Sequence, residues 1–419
     1  MTEPPATALV GGNTGMTAAS EGVEAELREP LPGSLMLLLM GIAMLGSLAT
    51  HLVVPSLPQL QREFSTDYGT VQLLVSLFVI AYGASQIVAG PLADAYGRRR
   101  MLITGLSVFT GASLLCAVAA NLETLILFRI LQGSSACFGL VMARALIRDI
   151  SAGRNASALF GYLAVGTSVG STLAPLFGGH LYQSFGWSGP FWFMAAFSLA
   201  GLALAIRLVP ETVSTATGWA SLRRMPSDFA GLLRQPSFLI HSGNISINTA
   251  LFYSFIVGGA LVSNRDLHLS PAEYGLWFSM TAVGYAMGNV LSGRAGQRYS
   301  ARPTIVVGAV AVLASMLAMA LLDAWVERSP LTFFLPMTGV TLSSGLIMSN
   351  SMAGGMALDP RRSGSASGLL GFLQFAAAAL FSFIAGHVAQ VSQSALILLM
   401  LALAVSGLAN ATIVRPATN

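Results

Sequence analysis

Lysine is absent: all 21 basic residues of this 419-residue chain are arginine. Charge of either sign is scarce, at 9% of residues, where an ordinary soluble domain carries about a quarter. That scarcity excludes a water-soluble globular fold. Cysteine is nearly missing too. The two present, Cys116 and Cys137, lie inside apolar runs with no pairing or ligand spacing, so they read as small buried hydrophobes, and neither a disulfide framework nor a metal site is expected. No G-x4-G-K-[ST] loop occurs, which excludes a P-loop ATP-driven pump. No cluster of acids or histidines gathers at one end of the apolar runs, so an integral membrane enzyme is not expected, and no cofactor is called for. Most telling, none of the 17 acidic residues falls within the core of an apolar run.

Apolar residues are abundant instead, at 54%. A bilayer-crossing helix needs about 20 of them in succession. Twelve such runs are present, at roughly 35–56, 70–92, 101–120, 124–146, 157–180, 188–208, 236–262, 274–293, 303–322, 331–352, 364–388 and 394–414. They predict an all-α polytopic membrane protein, and the Gly, Ala, Ser and Thr within them suit close helix packing.

The arginines orient these runs. With both termini placed in the cytoplasm, only Arg62, Arg265 and Arg328 fall on the far side, Arg129 and Arg144 sit within the fourth run, and every other arginine is cytoplasmic. The net charge of +4 therefore reflects membrane topology, and no nucleic-acid partner is expected. Residues 1–33 precede the first run, lack the basic start of a signal peptide, and read as a disordered cytoplasmic tail. The longest polar stretch after the tail, 209–235, is read as a central cytoplasmic loop between two six-helix bundles at 34–208 and 236–414, with 415–419 a cytoplasmic C-terminus.

The halves echo each other. Gly90-Pro-Leu-Ala-Asp94-Ala-Tyr-Gly97-Arg98-Arg99-Arg100 follows the second run, and Gly293-Arg294-Ala-Gly-Gln297-Arg298-Tyr-Ser300 follows the eighth, with Gln297 in place of Asp94. A degraded repeat of this kind implies two similar bundles with a substrate site near the midplane between them.

Twelve spans, the 6+6 division and Gly90, Asp94, Gly97, Arg98 and Arg99 in the pattern G-x-x-x-D-x-x-G-R-R/K resemble the major facilitator superfamily. Physically, Gly97 permits a tight turn, Asp94 suits a helix N-terminus, and Arg98 can pair with an acid at a neighbouring helix end, for which Asp149 beside Arg148 is the candidate. The resemblance implies that this network latches the halves on the cytoplasmic side. In the fifth run Gly161, Gly170, Ala174-Pro175 and Gly178-Gly179 resemble the superfamily's antiporter motif, with Ala174 standing for a glycine. Such a helix packs closely and can kink, and the resemblance associates it with export.

Leu125-Ile-Leu-Phe-Arg129-Ile-Leu-Gln132-Gly133 is similar to the superfamily's R-x-x-Q-G pattern. A charged side chain within a span is costly unless it faces protein or water, so Arg129 is expected to look into the cavity, where the resemblance implies proton coupling. Ala143-Arg144-Ala-Leu-Ile-Arg148-Asp149 and Pro55-Ser-Leu-Pro58 resemble the Bcr/CflA subfamily of drug–proton antiporters. That subfamily commonly has an Asp four residues before the first of these prolines; here the position is His51. With no carboxylate in the spans, His51 is the intramembrane candidate for a proton carrier, a neutral hydrogen-bonded or ligand-contacting histidine being the alternative. The missing carboxylates also weigh against strongly cationic substrates and favour neutral or zwitterionic amphiphiles, phenicol-like in character.

Tyr82, Asn248, Tyr253 and Asn350 are the candidate substrate contacts, each equally able to serve as an interhelical hydrogen bond. Phe78, Phe138, Phe252 and the methionines read as core or lipid-facing. The expectation is a proton-coupled efflux transporter for antibiotics and similar compounds in a bacterial inner membrane, a monomer whose partners are a small-molecule substrate, protons and the lipid bilayer. A proton-coupled metabolite transporter and a non-transporting sensor are the alternatives on the same fold.

Overall fold

The computed structural model describes residues 32–150, 156–212, 218–295, 299–358 and 363–413. Nearly all of the 1–33 tail, residues 415–419, and Gln297 and Arg298 of the second repeat loop lie outside them. Every expected run is a helix: α1 Gly33–Glu63 and α2 Tyr68–Tyr96, α3 Arg98–Ala117, α4 Leu122–Ile150, α5 Ala156–Phe185, α6 Gly189–Leu208, α7 Pro236–Arg265, α8 Pro271–Ala295, α9 Ala301–Trp325, α10 Pro330–Ala357, α11 Ser363–Val391 and α12 Gln393–Thr412. Ten of the described helices are long and apolar enough to cross a bilayer. The helical state follows from the solvent: in hydrocarbon each backbone N–H and C=O must be satisfied within its own segment.

Local chemistry sets the ends. Asp67 caps α2 by accepting a 2.9 Å bond from the Thr70 amide, Ser329 and Thr332 form a capping box at α10, and α2 stops at Gly97, whose φ of +100° is open to glycine and strained for other residues. α1 is not one continuous helix. It breaks at Leu52–Val53 into a 3-10 turn, Val54–Ser56, because Pro55 has no N–H to give the helical ladder. His51 therefore sits at the last regular turn before the break.

The six helices of each half pack together, and the halves meet along α5 with α8 and α2 with α11. We call the end that carries Arg98–Arg100 the basic face. At the other face the halves are locked. The Tyr68 hydroxyl donates to the Val257 carbonyl at 2.6 Å, Gln72 to Phe383 at 3.0 Å, and Arg62 to Asn264 at 2.8 Å. A Cβ on Gly179 would meet the backbone of Pro271, and one on Gly275 the backbone of Pro175, so glycine is what lets α5 and α8 touch there.

The expected central loop is partly ordered as helix. Gly218–Leu233 is amphipathic. It packs against α2 and α11, with Leu232 buried in a cluster holding Phe238, Ile245 and Leu370. A polar average over 209–235 conceals this apolar stripe, because the stripe recurs every three to four residues.

Candidate functional site

Between the halves lies a cavity of about 280 Å³, bordered by α1, α2, α4, α5, α7, α8, α10 and α11. Its lining runs from His51, near the locked face, to Arg144 and Met352, nearer the basic face. Among the described residues, no aspartate or glutamate borders it.

His51 is 4% exposed. Its Nδ1 lies 2.6 Å from the Ser47 carbonyl one helical turn back. A carbonyl only accepts, so Nδ1 carries the proton and Nε2 keeps its lone pair, without a partner among the described residues. Phe252 and Phe278 flank the ring at 6.1 and 5.9 Å. The site is apolar on both sides of a base that has one unused lone pair.

Three of the four candidate substrate contacts border the cavity: Tyr82, Asn248 and Tyr253. Tyr82 stacks on Phe78 at 6.4 Å and meets Phe375 edge-on at 5.0 Å, so α2 and α11 share one aromatic wall. Asn248 accepts from Ser344 across α7 and α10 at 3.2 Å. Asn350 is a correction. Its amide donates 3.0 Å to Ser292 on α8, and it takes no part in the cavity lining. Ser344, Met348 and Met352 hold the cavity face of α10 instead. The aromatics and methionines need correcting as well, since Phe78, Phe252, Met348 and Met352 border the cavity.

Arg129 is placed differently from expectation. It is wholly buried behind the cavity wall, its guanidinium 4.1 Å from the Phe78 ring centroid. Nε donates to the Leu74 carbonyl at 3.0 Å, one Nη to Ala49 at 3.1 Å and to Gln132 at 2.6 Å. It thus ties α1, α2 and α4 together one layer behind the cavity. The other Nη has no partner among the described residues.

At the basic face Arg98 pairs with Asp94 at 2.5 Å and with Asp149 at 3.1 Å. Arg148 is exposed, 3.8 Å from Asp149. Glu211, which the motif does not contain, completes the cluster. Its carboxylate accepts from the Arg98 amide at 2.8 Å, capping the α3 N-terminus. Arg98, Asp94, Arg148 and Asp149 belong to the N-terminal half and Glu211 to the segment that follows it. None of these ion pairs among the described residues joins the two halves in this conformation, which is closed at the opposite face.

The antiporter-motif residues lie where α5 meets other helices. Gly170 faces Met44 and Ser47 of α1, Gly178 faces the Leu52 backbone, Gly179 and Pro175 face α8, and Gly161 faces open space. One cavity feature escapes a motif search: Gly371 closes on Gln86 across α2 and α11. Arg144, which the subfamily pattern contains without a stated role, borders the cavity as an exposed side chain.

The sequence profile of the Major Facilitator Superfamily matches residues 39–264 and 243–419. The chain belongs to this superfamily. It is 26% identical over 371 residues to multidrug resistance protein D of Escherichia coli (strain K12), covering 88% of this chain and 92% of that protein. Over 309 residues it is 28% identical to a chloramphenicol resistance protein of Pseudomonas aeruginosa, covering 72% and 71%. In three dimensions it matches a crystal structure of a D-xylose–proton symporter with a TM-score of 0.72 over 92% of this chain and 97% of that one, at 14% identity. This major facilitator protein is thus a multi-pass membrane transporter for a small molecule, with the all-α two-bundle fold that its sequence led us to expect.

Proposed function

We propose that this transporter exports small amphipathic compounds from bacterial cells in exchange for protons, working in the inner membrane with both termini and the basic face in the cytoplasm. The observation that carries this reading is the cavity itself. It lies between the two halves, its walls combine aromatic and apolar surface with many hydroxyl and amide groups, and His51, the one histidine among the described lining residues, has a ring nitrogen with no partner among the described residues. A pocket so built takes varied amphiphiles, and a neutral histidine in such a setting is a proton acceptor that a bound substrate can displace or block. The resistance proteins among its relatives support drug-like cargo, and the absence of carboxylates among the described cavity residues supports neutral or zwitterionic compounds over strongly cationic ones.

On this reading, substrate enters from the cytoplasm while Tyr68, Gln72 and Arg62 hold the far side shut. Protonation of His51 from the outside and release of substrate then alternate as the halves rock about the α5–α8 and α2–α11 contacts. Arg98, Asp94 and Asp149 gate the cytoplasmic side, and Arg129 sets the electrostatics and packing behind His51.

The test is substrate-linked proton movement in lightly buffered, purified full-length protein. Adding chloramphenicol should release protons from the wild type, with the signal lost in His51→Ala. Release undiminished in His51→Ala would overturn the role of His51, and drug binding with no proton movement at all would overturn proton coupling.

A further inference from the structure

Arg144 stands out from the other arginines near the bundle core. Arg129 makes three hydrogen bonds and Arg98 two ion pairs, whereas Arg144 has neither a hydrogen bond nor an ion pair with any described residue. It is nonetheless one of the residues that border the central cavity, and its side chain is exposed there. An unpaired guanidinium deep inside a membrane bundle is costly to keep. Water in the cavity meets that cost only while the cavity is open, and on closure the charge needs a counter-ion. Among the described residues, no acidic side chain borders the cavity to supply one.

We propose that Arg144 is an anion-binding subsite and that, among the amphiphiles this cavity takes, it favours those that bring the counter-ion themselves, as a carboxylate on an aromatic or apolar body, zwitterions included. This names the substrate class of the exporter and rests on that reading of the cavity. Three features of the surroundings suit it. Guanidinium and carboxylate match as planar forks, two parallel N–H donors to two oxygens. Arg144 borders the same cavity as the aromatic wall of Tyr82, Phe78 and Phe375, so a ligand that reaches Arg144 with its charge has an aromatic surface for its body. Along α4, Arg148 follows Arg144 by one turn and is exposed at the basic face, which extends the positive potential toward the mouth through which the ligand enters.

Two matched pairs test this on purified full-length protein in nanodiscs: N-acetylphenylalanine against its amide, and 4-phenylbutyrate against 4-phenylbutyramide, with affinities read by calorimetry. The carboxylate of each pair should bind about tenfold or more tightly than the amide. Arg144→Gln should bring the ratio close to one, and Arg144→Lys, which keeps the charge without the fork, should retain part of it. Equal binding of acid and amide by the wild type, no binding of either carboxylate, or a ratio that survives in Arg144→Gln would each overturn the subsite. Should Arg144→Gln not fold, the wild-type ratios and Arg144→Lys still decide. Efflux of chloramphenicol and of 4-phenylbutyrate from intact cells separates this from the export reading. Efflux without carboxylate preference in binding overturns the subsite alone, whereas carboxylate preference in a protein that exports neither compound upholds the subsite and overturns export.

Discussion

The hydroxyl of Tyr68, at the start of α2, donates to the main-chain carbonyl of Val257 on α7 at 2.6 Å, joining the two halves at the face away from the arginine loop. The bond is buried, so parting the halves costs it unless water enters. The same face holds the backbone approach of Gly275 to Pro175. Opening this face breaks both contacts together.

Gly275→Val should shift the resting protein toward opening at this face, because its Cβ meets the Pro175 carbonyl. Spin labels at Glu63 and His268 should report a longer mean distance than in the unmodified background, and substrate efflux should fall several-fold. Labelling is clean because the native Cys116 and Cys137 are buried. An unchanged distance distribution would contradict the closed-face assignment.

Arg129→Ala should cost roughly 3 kcal/mol of stability, because it strands the Leu74 and Ala49 carbonyls and Gln132 in a dry layer. Arg129→Lys should recover little, since an ammonium cannot reach three acceptors on three helices from a planar fork. The check is the detergent unfolding midpoint. A loss of transport with no loss of stability would instead assign Arg129 to coupling alone.

Gly97→Ala should destabilise the arginine loop by about 1–2 kcal/mol, since φ there is +100° and the new methyl meets the Glu211 carboxylate. Glu211→Gln should give a smaller loss, about 0.5–1 kcal/mol, as the cap survives and its charge at the helix start goes. Hydrogen exchange at the first turn of α3 reads both, and no change in Gly97→Ala would refute the strained turn.

Asp67 supplies a pH dependence. Hydrogen bonds from Thr70 hold its carboxyl below the ordinary aspartate value of 3.8, so the folded protein favours the charged form. Stability from this cap is then complete above that value and fades as the pH falls through the lower folded-state value. Asp67→Ala should lower stability by about 1 kcal/mol near neutrality. The gap between variant and wild type should hold steady down to about pH 4 and narrow on further acidification toward about pH 2, and a gap that widened would reverse the sign of the linkage.

Much of this was legible beforehand because hydrocarbon is an unforgiving solvent. Each apolar run longer than the bilayer is thick had to become a helix, and the glycine and arginine positions of 90–100 marked the turn between α2 and α3. The near-absence of intramembrane acid singled out His51 and Arg129 as candidates; the structure puts His51 in the cavity lining and Arg129 behind it. Pro55 announced the break just after His51. Glu211 was visible only as one more charge in a polar stretch, because nothing local says that it folds back 113 residues to cap α3.

What the sequence by itself determined is therefore membrane insertion, the two-bundle repeat and the short list of polar side chains inside the spans. Which of those side chains meets the cavity was decided by the tertiary structure. Arg129 and Arg144 share one helix and differ by about 60° in azimuth and about 22 Å in height, yet Phe78 and the carbonyls of α1 and α2 enclose the first, while the gap between α4 and the C-terminal half exposes the second. Asn350 likewise turns to Ser292 because α8 packs against that side of α10. Helical periodicity gives every residue an angle, and only the neighbouring helices determine which angle looks onto the cavity.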